Sequence, residues 1–198
     1  MAENRAPAEH AIFDLAANRW SPRAFSDKAM SRGDMLSLFE AARWAPSAFN
    51  AQPWRIIAAP RANAEAFAKM LDCLAPSNQV WAKNAQLLLV FAAEDNFSYN
   101  GKENRWAKHD CGIALENLLL EATALGMQAH PMAGFSVEAV RETYGLPADF
   151  DPIAAVAVGY QGSPEMLDDD LKARETAQRE RNPIKSFVFE EKWGNPVK

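Results

Sequence analysis

The sequence predicts a single mixed α/β domain of the α+β class, with a central mixed sheet flanked by helices in layers. Two short runs carry most of this reading. Gln86–Ala92 and Ile153–Tyr160 are apolar almost throughout, as strands covered on both faces are. Around them, segments with apolar residues at helical spacing alternate irregularly with strand-like runs. The 198 residues, 48% hydrophobic and 24% charged, suit one domain with one sizeable core. No repeat, low-complexity stretch or interior linker divides the chain, so one domain over residues 1–198 is expected.

Residues 1–9 read as a loose arm, and Ala11–Asn18 as a short helix with Ile12, Leu15 and Ala16 on one face. Met35–Trp44 repeats that logic, with Asp34 at the positive helix start and Pro46 as its stop. Arg55–Ala59 should be a strand, and Ala62–Leu74 an amphipathic helix buried on Ala64, Phe67, Ala68 and Leu71. Residues 94–105 are polar, with a turn signal at Tyr99-Asn100-Gly101, and read as a loop. The longest helix runs from about Trp106 to Leu125 and stops at Gly126. Leu118, Leu119 and Leu120 make it apolar on nearly every side, so it is buried in the domain centre or against another subunit. His109-Asp110 near its start reads as N-terminal capping. Met127–Met132 is a strand leading to a turn at Gly134. Ser136 then opens a helix that ends at Gly145.

After Gly162 the character changes. Asp168–Arg181 is charged, yet Phe187, Val188, Phe189 and Trp193 follow beyond the last core strand. The 164–198 tail should dock against a second subunit, the alternative being that it covers an edge of its own.

Composition excludes several classes. A net charge of −5 argues against a general nucleic-acid surface. No apolar run reaches the ~20 residues of a membrane span, and Met1–Arg5 lacks the apolar core of a signal peptide. Cys73 and Cys111 form no disulfide framework, and with His10, His109 and His130 they make no metal-ligand spacing. The cytoplasm is the expected location, with no bound metal. No Gly-x-Gly-x-x-Gly follows a strand, and no Gly-x-Ser-x-Gly suggests a hydrolase.

Chemistry concentrates in four segments. Ala45-Pro46-Ser47-Ala48-Phe49-Asn50-Ala51-Gln52-Pro53-Trp54 is a stiff loop carrying a hydroxyl and two amides, and an amide can read the edge of a heterocycle. Arg19-Trp20-Ser21-Pro22-Arg23 puts two guanidinium groups and a hydroxyl on another rigid turn, the donor set for a phosphate. Alone it reads equally as a helix-exit loop with solvated arginines. His130-Pro131-Met132-Ala133-Gly134-Phe135 is a turn in which Gly134 allows close backbone approach. Arg179-Glu180-Arg181 is alternating charge, alone a solvated face.

In this order, with Asp110-x-Gly-x-Ala-x-x-Asn-Leu118 between them, the segments resemble the FMN-binding nitroreductase family over nearly the whole chain. The resemblance implies a nitroreductase-like three-layer fold in an intertwined homodimer. By it, Arg19 and Ser21 hold the FMN phosphate, joined by one or both of Arg179 and Arg181. Arg23 lies at the N1–O2 side of the flavin, where a cation favours reduction. Trp20, Pro46 and Ser47 shape the pocket, and Asn50 bonds the pyrimidine edge. Pro131, Met132, Ala133 and Gly134 lie against the ring, with the Ala133–Gly134 backbone near N5. Some family members have a glutamate where this chain has Ala133, which bears on substrate preference. No side chain is expected to act as nucleophile or general base.

The activity so implied is transfer of hydride from NADH or NADPH to the flavin, then reduction of a nitroaromatic, quinone or similar conjugated acceptor by a ping-pong order. The alternatives are a specialised flavin reductase or dehalogenase of the same family, or a non-catalytic protein that stores FMN or senses redox state. Phe97, Tyr99 and Trp106 read as packing residues or as a substrate lid.

Overall fold

The structure, a computed structural model, describes residues 4–197; the remainder of the expected N-terminal arm lies outside the described residues. Helices α1 (Asp14–Asn18) and α2 (Arg32–Arg43) come first, then β1 (Trp54–Pro60), α3 (Ala64–Asp72), α4 (Pro76–Ala82) and β2 (Leu87–Glu94). The long helix α5 (Ala107–Ala124) follows, then β3 (Gln128–Met132), α6 (Val137–Tyr144), β4 (Phe150–Gly159) and α7 (Asp169–Thr176). The helix ends obey local chemistry. Ser31, Asn63, Ser136 and Asp168 each accept a backbone N–H of the following first turn. Gly145 ends α6 in the left-handed conformation that a side chain disfavours.

The strands form one sheet in the order β1-β2-β4-β3. Every pairing in it is antiparallel, which corrects the expected mixture of parallel and antiparallel neighbours. The physical reason is the path of the chain. β2 and β3 do run parallel, joined across α5, but the crossover leaves one position open and β4 fills it. The pleat of β2 divides the core. Leu88 and Val90 face α3, α4 and α6 with Phe67, Met70, Trp81 and Val140. Leu87, Leu89 and Phe91 face α2 and α5 with Leu38, Ala42, Ala114 and Leu118. The result is three layers. Leu87, Leu88 and Leu89 are fully buried, each contributing about 2 kcal/mol of apolar transfer free energy. The three strand prolines sit where no ladder donor is required, and Pro60 ends the edge strand β1. Pro131 lies on the edge strand β3, and Pro152 lies in the part of β4 that β3 does not reach.

Two elements differ from the sequence expectation in ways that matter for function. Helix α4 was not expected. Pro76 starts it at the first position, where a missing N–H costs nothing, and it delivers Trp81 against Phe25 and His130. The tail begins on its own subunit. Leu167 and Leu171 pack on the core and Glu175 is buried, so the segment free to reach elsewhere is shorter than residues 164–198. From Phe187 to Val197 the chain forms a small hairpin, with Phe189 bridged to Pro196 and Trp193 90% exposed. Residues 4–9 run along α1, where the Ala6 N–H donates to Ala17 O and Arg5 pairs with Asp14.

Candidate functional site

The Arg19–Arg23 loop leaves α1 with no regular structure of its own, and side chains from three distant parts of the chain hold it. On β3, Gln128 accepts the Trp20 N–H and donates to Asn18 O. Two residues on, and therefore on the same face, His130 donates from Nδ1 to Pro22 O at 2.9 Å. On α7, both carboxylate oxygens of Glu175 receive the Arg23 N–H, at 2.8 and 3.1 Å, and one also receives the Ala24 N–H at 3.0 Å. Arg179 completes the frame, donating to Asn4 O, Ala17 O and Arg19 O. The backbone here is fixed by these bonds, while the half-buried side chains of Arg19, Ser21 and Arg23 bond no other described residue. Trp20 itself is 8% exposed and belongs to the interior.

This loop gathers uncompensated positive charge. Among the described residues, none of Arg19, Arg23, Arg179 and Arg181 forms an ion pair. Burial lowers the Arg179 pKa below the ordinary guanidinium value, and the positive charges of Arg19 and Arg181 lower it further. Guanidinium groups this close to one another attract an anion. The pKa of His130 is lowered to about 4, first by burial and then by Arg23 and Arg19, against an opposing effect of its bond to Pro22. It is therefore neutral at pH 7, with the proton on Nδ1. Glu116 on α5 also senses Arg19, although burial pushes its carboxyl pKa up.

The second loop is strained. Phe49, Asn50 and Gln52 have φ of 53°, 55° and 49°, in the left-handed region that costs a non-glycine residue about 1–2 kcal/mol. Internal bonds hold the turn: Ser47 Oγ accepts the Gln52 N–H, and Gln52 Nε2 donates to Asn50 O. Gln52 is thus the loop-fixing residue. Asn50 is exposed and its amide pairs with no other described residue. Asp110 was expected to cap its helix and does not. Its buried carboxylate reaches out of α5 to accept the Ala48 N–H at 2.9 Å. Phe49 meets Phe97 edge-on and Phe97 meets Tyr99, so an aromatic chain joins this loop to the 94–105 segment. That segment is itself a small hairpin closed by Asn96 and Glu103.

The third piece is the turn after β3. Gly134 O accepts from the Ala75 N–H and from Asn78 Nδ2, each at 2.9 Å. A Cβ on Gly134 would lie 2.7 Å from Asn78 Nδ2, so a side chain there would push the Asn78 amide off Gly134 O. Ala133 is exposed, Pro131 is half-buried and Met132 is buried. The N–H groups of Ala133 and Gly134 donate to no described residue. On the second loop, Pro46 is exposed and Ser47 half-buried.

The phosphate-type donors, the amide and the free backbone N–H groups fit a phosphorylated, planar, redox-active ring such as FMN. Three residues that position them escaped sequence reasoning, since Gln128, Glu175 and Asn78 carried no local signal; Arg179 was expected at the phosphate and is found holding Asn4 O, Ala17 O and Arg19 O. Among the described residues no group of His, Cys, Asp or Glu could hold a metal ion, and no described helix is long and apolar enough to cross a membrane.

The profile of the nitroreductase family matches residues 16–160, and the chain belongs to that family. The match takes in the first three segments and ends before Arg179. A Thermus thermophilus protein named NADH dehydrogenase is 34% identical over 175 residues, covering 73% of this chain and 84% of its own. A Mycolicibacterium smegmatis protein named only by its size and gene neighbourhood is 34% identical over 133 residues, covering 67% of this chain and 88% of its own. A solved structure described as an oxidoreductase containing FMN superposes with a TM-score of 0.92 at 35% identity, over 97% of this chain and 98% of that one.

Proposed function

We propose that the protein is an FMN-dependent oxidoreductase that takes hydride from NADH or NADPH and passes the electrons to a nitroaromatic, quinone or similar conjugated acceptor. The observation that carries this reading is the cluster of Arg19, Arg23, Arg179 and Arg181, which no carboxylate pairs among the described residues, in a chain that also presents an unbonded amide at Asn50 on a strained turn. The family and the FMN-containing structural relative support it, and the relative named NADH dehydrogenase supports a nicotinamide donor.

When bound, the flavin supplies the redox chemistry, taking and giving up two electrons through N5. The chain supplies the rest. Arg19, Ser21 and Arg181 bind the phosphate. Arg179 is committed to three carbonyls, so it buttresses Arg19, and Arg181 is the freer cation. Arg23 stabilises negative charge at the N1–O2 edge, Asn50 orients the pyrimidine edge, and the Ala133 or Gly134 N–H is a fixed donor toward N5. Trp20 lends only its backbone to this arrangement. One face serving both donor and acceptor imposes a ping-pong order.

The same reading makes the protein a homodimer. Phe187 and Trp193 are 62% and 90% exposed on the tail hairpin, and a partner subunit is the surface that would cover them. Two buried, unbridged cysteines suit a reducing compartment, the cytoplasm.

Steady-state kinetics with NADH or NADPH and a panel of nitroaromatic and quinone acceptors tests the function. Parallel double-reciprocal lines with at least one acceptor are expected. FMN-loaded protein that oxidises neither nicotinamide would instead make it a storage or sensing protein.

A further inference from the structure

Helix α5 carries two polar side chains aimed at the segment that ends in Asn50. Asn117 donates from Nδ2 to Ala41 O, at the last turn of α2. Asp110 accepts the Ala48 N–H. They are two helical turns apart and share a face. Between them they hold Ala41 and Ala48, the start and the middle of the stretch from Ala41 to Gln52. Within that stretch the bonds of the left-handed turn are local, made among Ser47, Asn50 and Gln52 and by Arg55 to Gln52 O. Among the described residues, the bond to Asp110 is the one hydrogen bond that ties residues 47–52 to another helix.

We propose that Asp110 is a positioning residue for cofactor recognition: its buried carboxylate holds Ala48, and through it the strained turn that presents Asn50. The inference rests on the FMN reading above. Asp110 is 3% exposed, so the acceptor is sheltered from water and cannot be replaced by it. A carboxylate is the stronger acceptor for a lone N–H. Its second oxygen is satisfied by His109 Nδ1 at 2.9 Å, which fixes the side-chain rotamer. Without this tether, Phe49, Asn50 and Gln52 are free to leave the left-handed region, and the Asn50 amide loses its direction. Asp110 needs no contact with the ligand to act.

The bond can be cut from either side. Asp110→Ala removes the acceptor and Asp110→Asn keeps one. Ala48→Pro removes the donor alone; Ser47 is extended, as a residue before proline prefers, and Ala48 opens a short helical turn, where proline is tolerated. Full-length protein is titrated with FMN, and amide exchange over residues 47–52 is followed in the apoprotein. Asp110→Ala and Ala48→Pro are expected to weaken FMN about tenfold to a hundredfold, the loss of one bond to a charged acceptor. They should also alter the flavin band shape and speed loop exchange. Asp110→Asn restores affinity to within about threefold. The double variant is no weaker than either single one, since both cut the same bond. Parental affinity, band shape and loop exchange in both Asp110→Ala and Ala48→Pro overturn the proposal, whatever their melting temperatures. Failure of the parental protein to bind FMN overturns the cofactor reading, while the exchange data alone still decide whether Asp110 holds the turn.

Discussion

Removing the Glu175 carboxylate should release the Arg19–Arg23 loop. The two N–H groups of Arg23 and Ala24 end on this one side chain, with three contacts of 2.8 to 3.1 Å. Glu175 is 3% exposed and Ala24 is 1% exposed, so the Ala24 N–H cannot turn to water without moving the backbone. A hydrogen bond to a charged group contributes about 1.5–3 kcal/mol, and an orphaned buried donor costs a similar amount. Arg23 is only half-buried and recovers some solvation, so Glu175→Ala should cost about 3–4 kcal/mol. In a chain of this size that lowers the melting temperature by roughly 6–15 °C. Glu175→Gln keeps one oxygen but turns an amide donor toward an N–H, for a loss of about 1–2 kcal/mol. Urea unfolding followed by circular dichroism measures both. A Glu175→Ala protein within about 0.5 kcal/mol of the parent would refute the view that this carboxylate organises the loop.

Three further outcomes are expected. Arg19→Ala with Arg181→Ala should abolish stoichiometric FMN on purification, measured as the flavin-to-protein absorbance ratio; full retention would sink the phosphate assignment. Asn50→Ala should lower stability by no more than about 1 kcal/mol, the added cost of alanine at a left-handed φ of 55°, yet weaken FMN or shift its potential. His130 has its folded pKa depressed from 6.5 to about 4, so the unfolded chain binds more protons between those values. Apoprotein stability should be complete above pH 6.5 and fall by about 3 kcal/mol as the pH drops to 4. His130→Gln should flatten that part of the profile, and an unchanged acid limb would show that other groups produce it.

The sequence was most legible where the chemistry is local. Ser136 and Gly145 mark their helix because a cap acts on its own neighbours. Gln86–Ala92 reads as a central strand because burial on both faces leaves no polar position. The Arg19–Arg23 and Pro46–Asn50 loops stood out through residue types that a phosphate and a heterocycle require. The supports behind them did not stand out. Glu175 meets Arg23 across 152 positions and Gln128 meets Trp20 across 108, and a backbone N–H leaves no trace in the sequence of what will accept from it. Asp110 was seen but assigned to the helix beneath it, since position within a first turn does not reveal that the carboxylate points away. Strand order likewise depends on which position a crossover skips, which the strand residues do not encode. Helix α4 was legible in principle, through Pro76 at a helix start, but its short apolar pattern of Val80 and Trp81 is too brief to show a period.

The measurement that tests the central claim most directly is an anaerobic visible spectrum of the purified protein, reconstituted with FMN, before and after adding NADH and NADPH. The account predicts a bound flavin band that bleaches within the mixing time with at least one nicotinamide and returns when a nitroaromatic or quinone is added. A protein that takes up no FMN, or a bound flavin that stays oxidised with both nicotinamides, would contradict it.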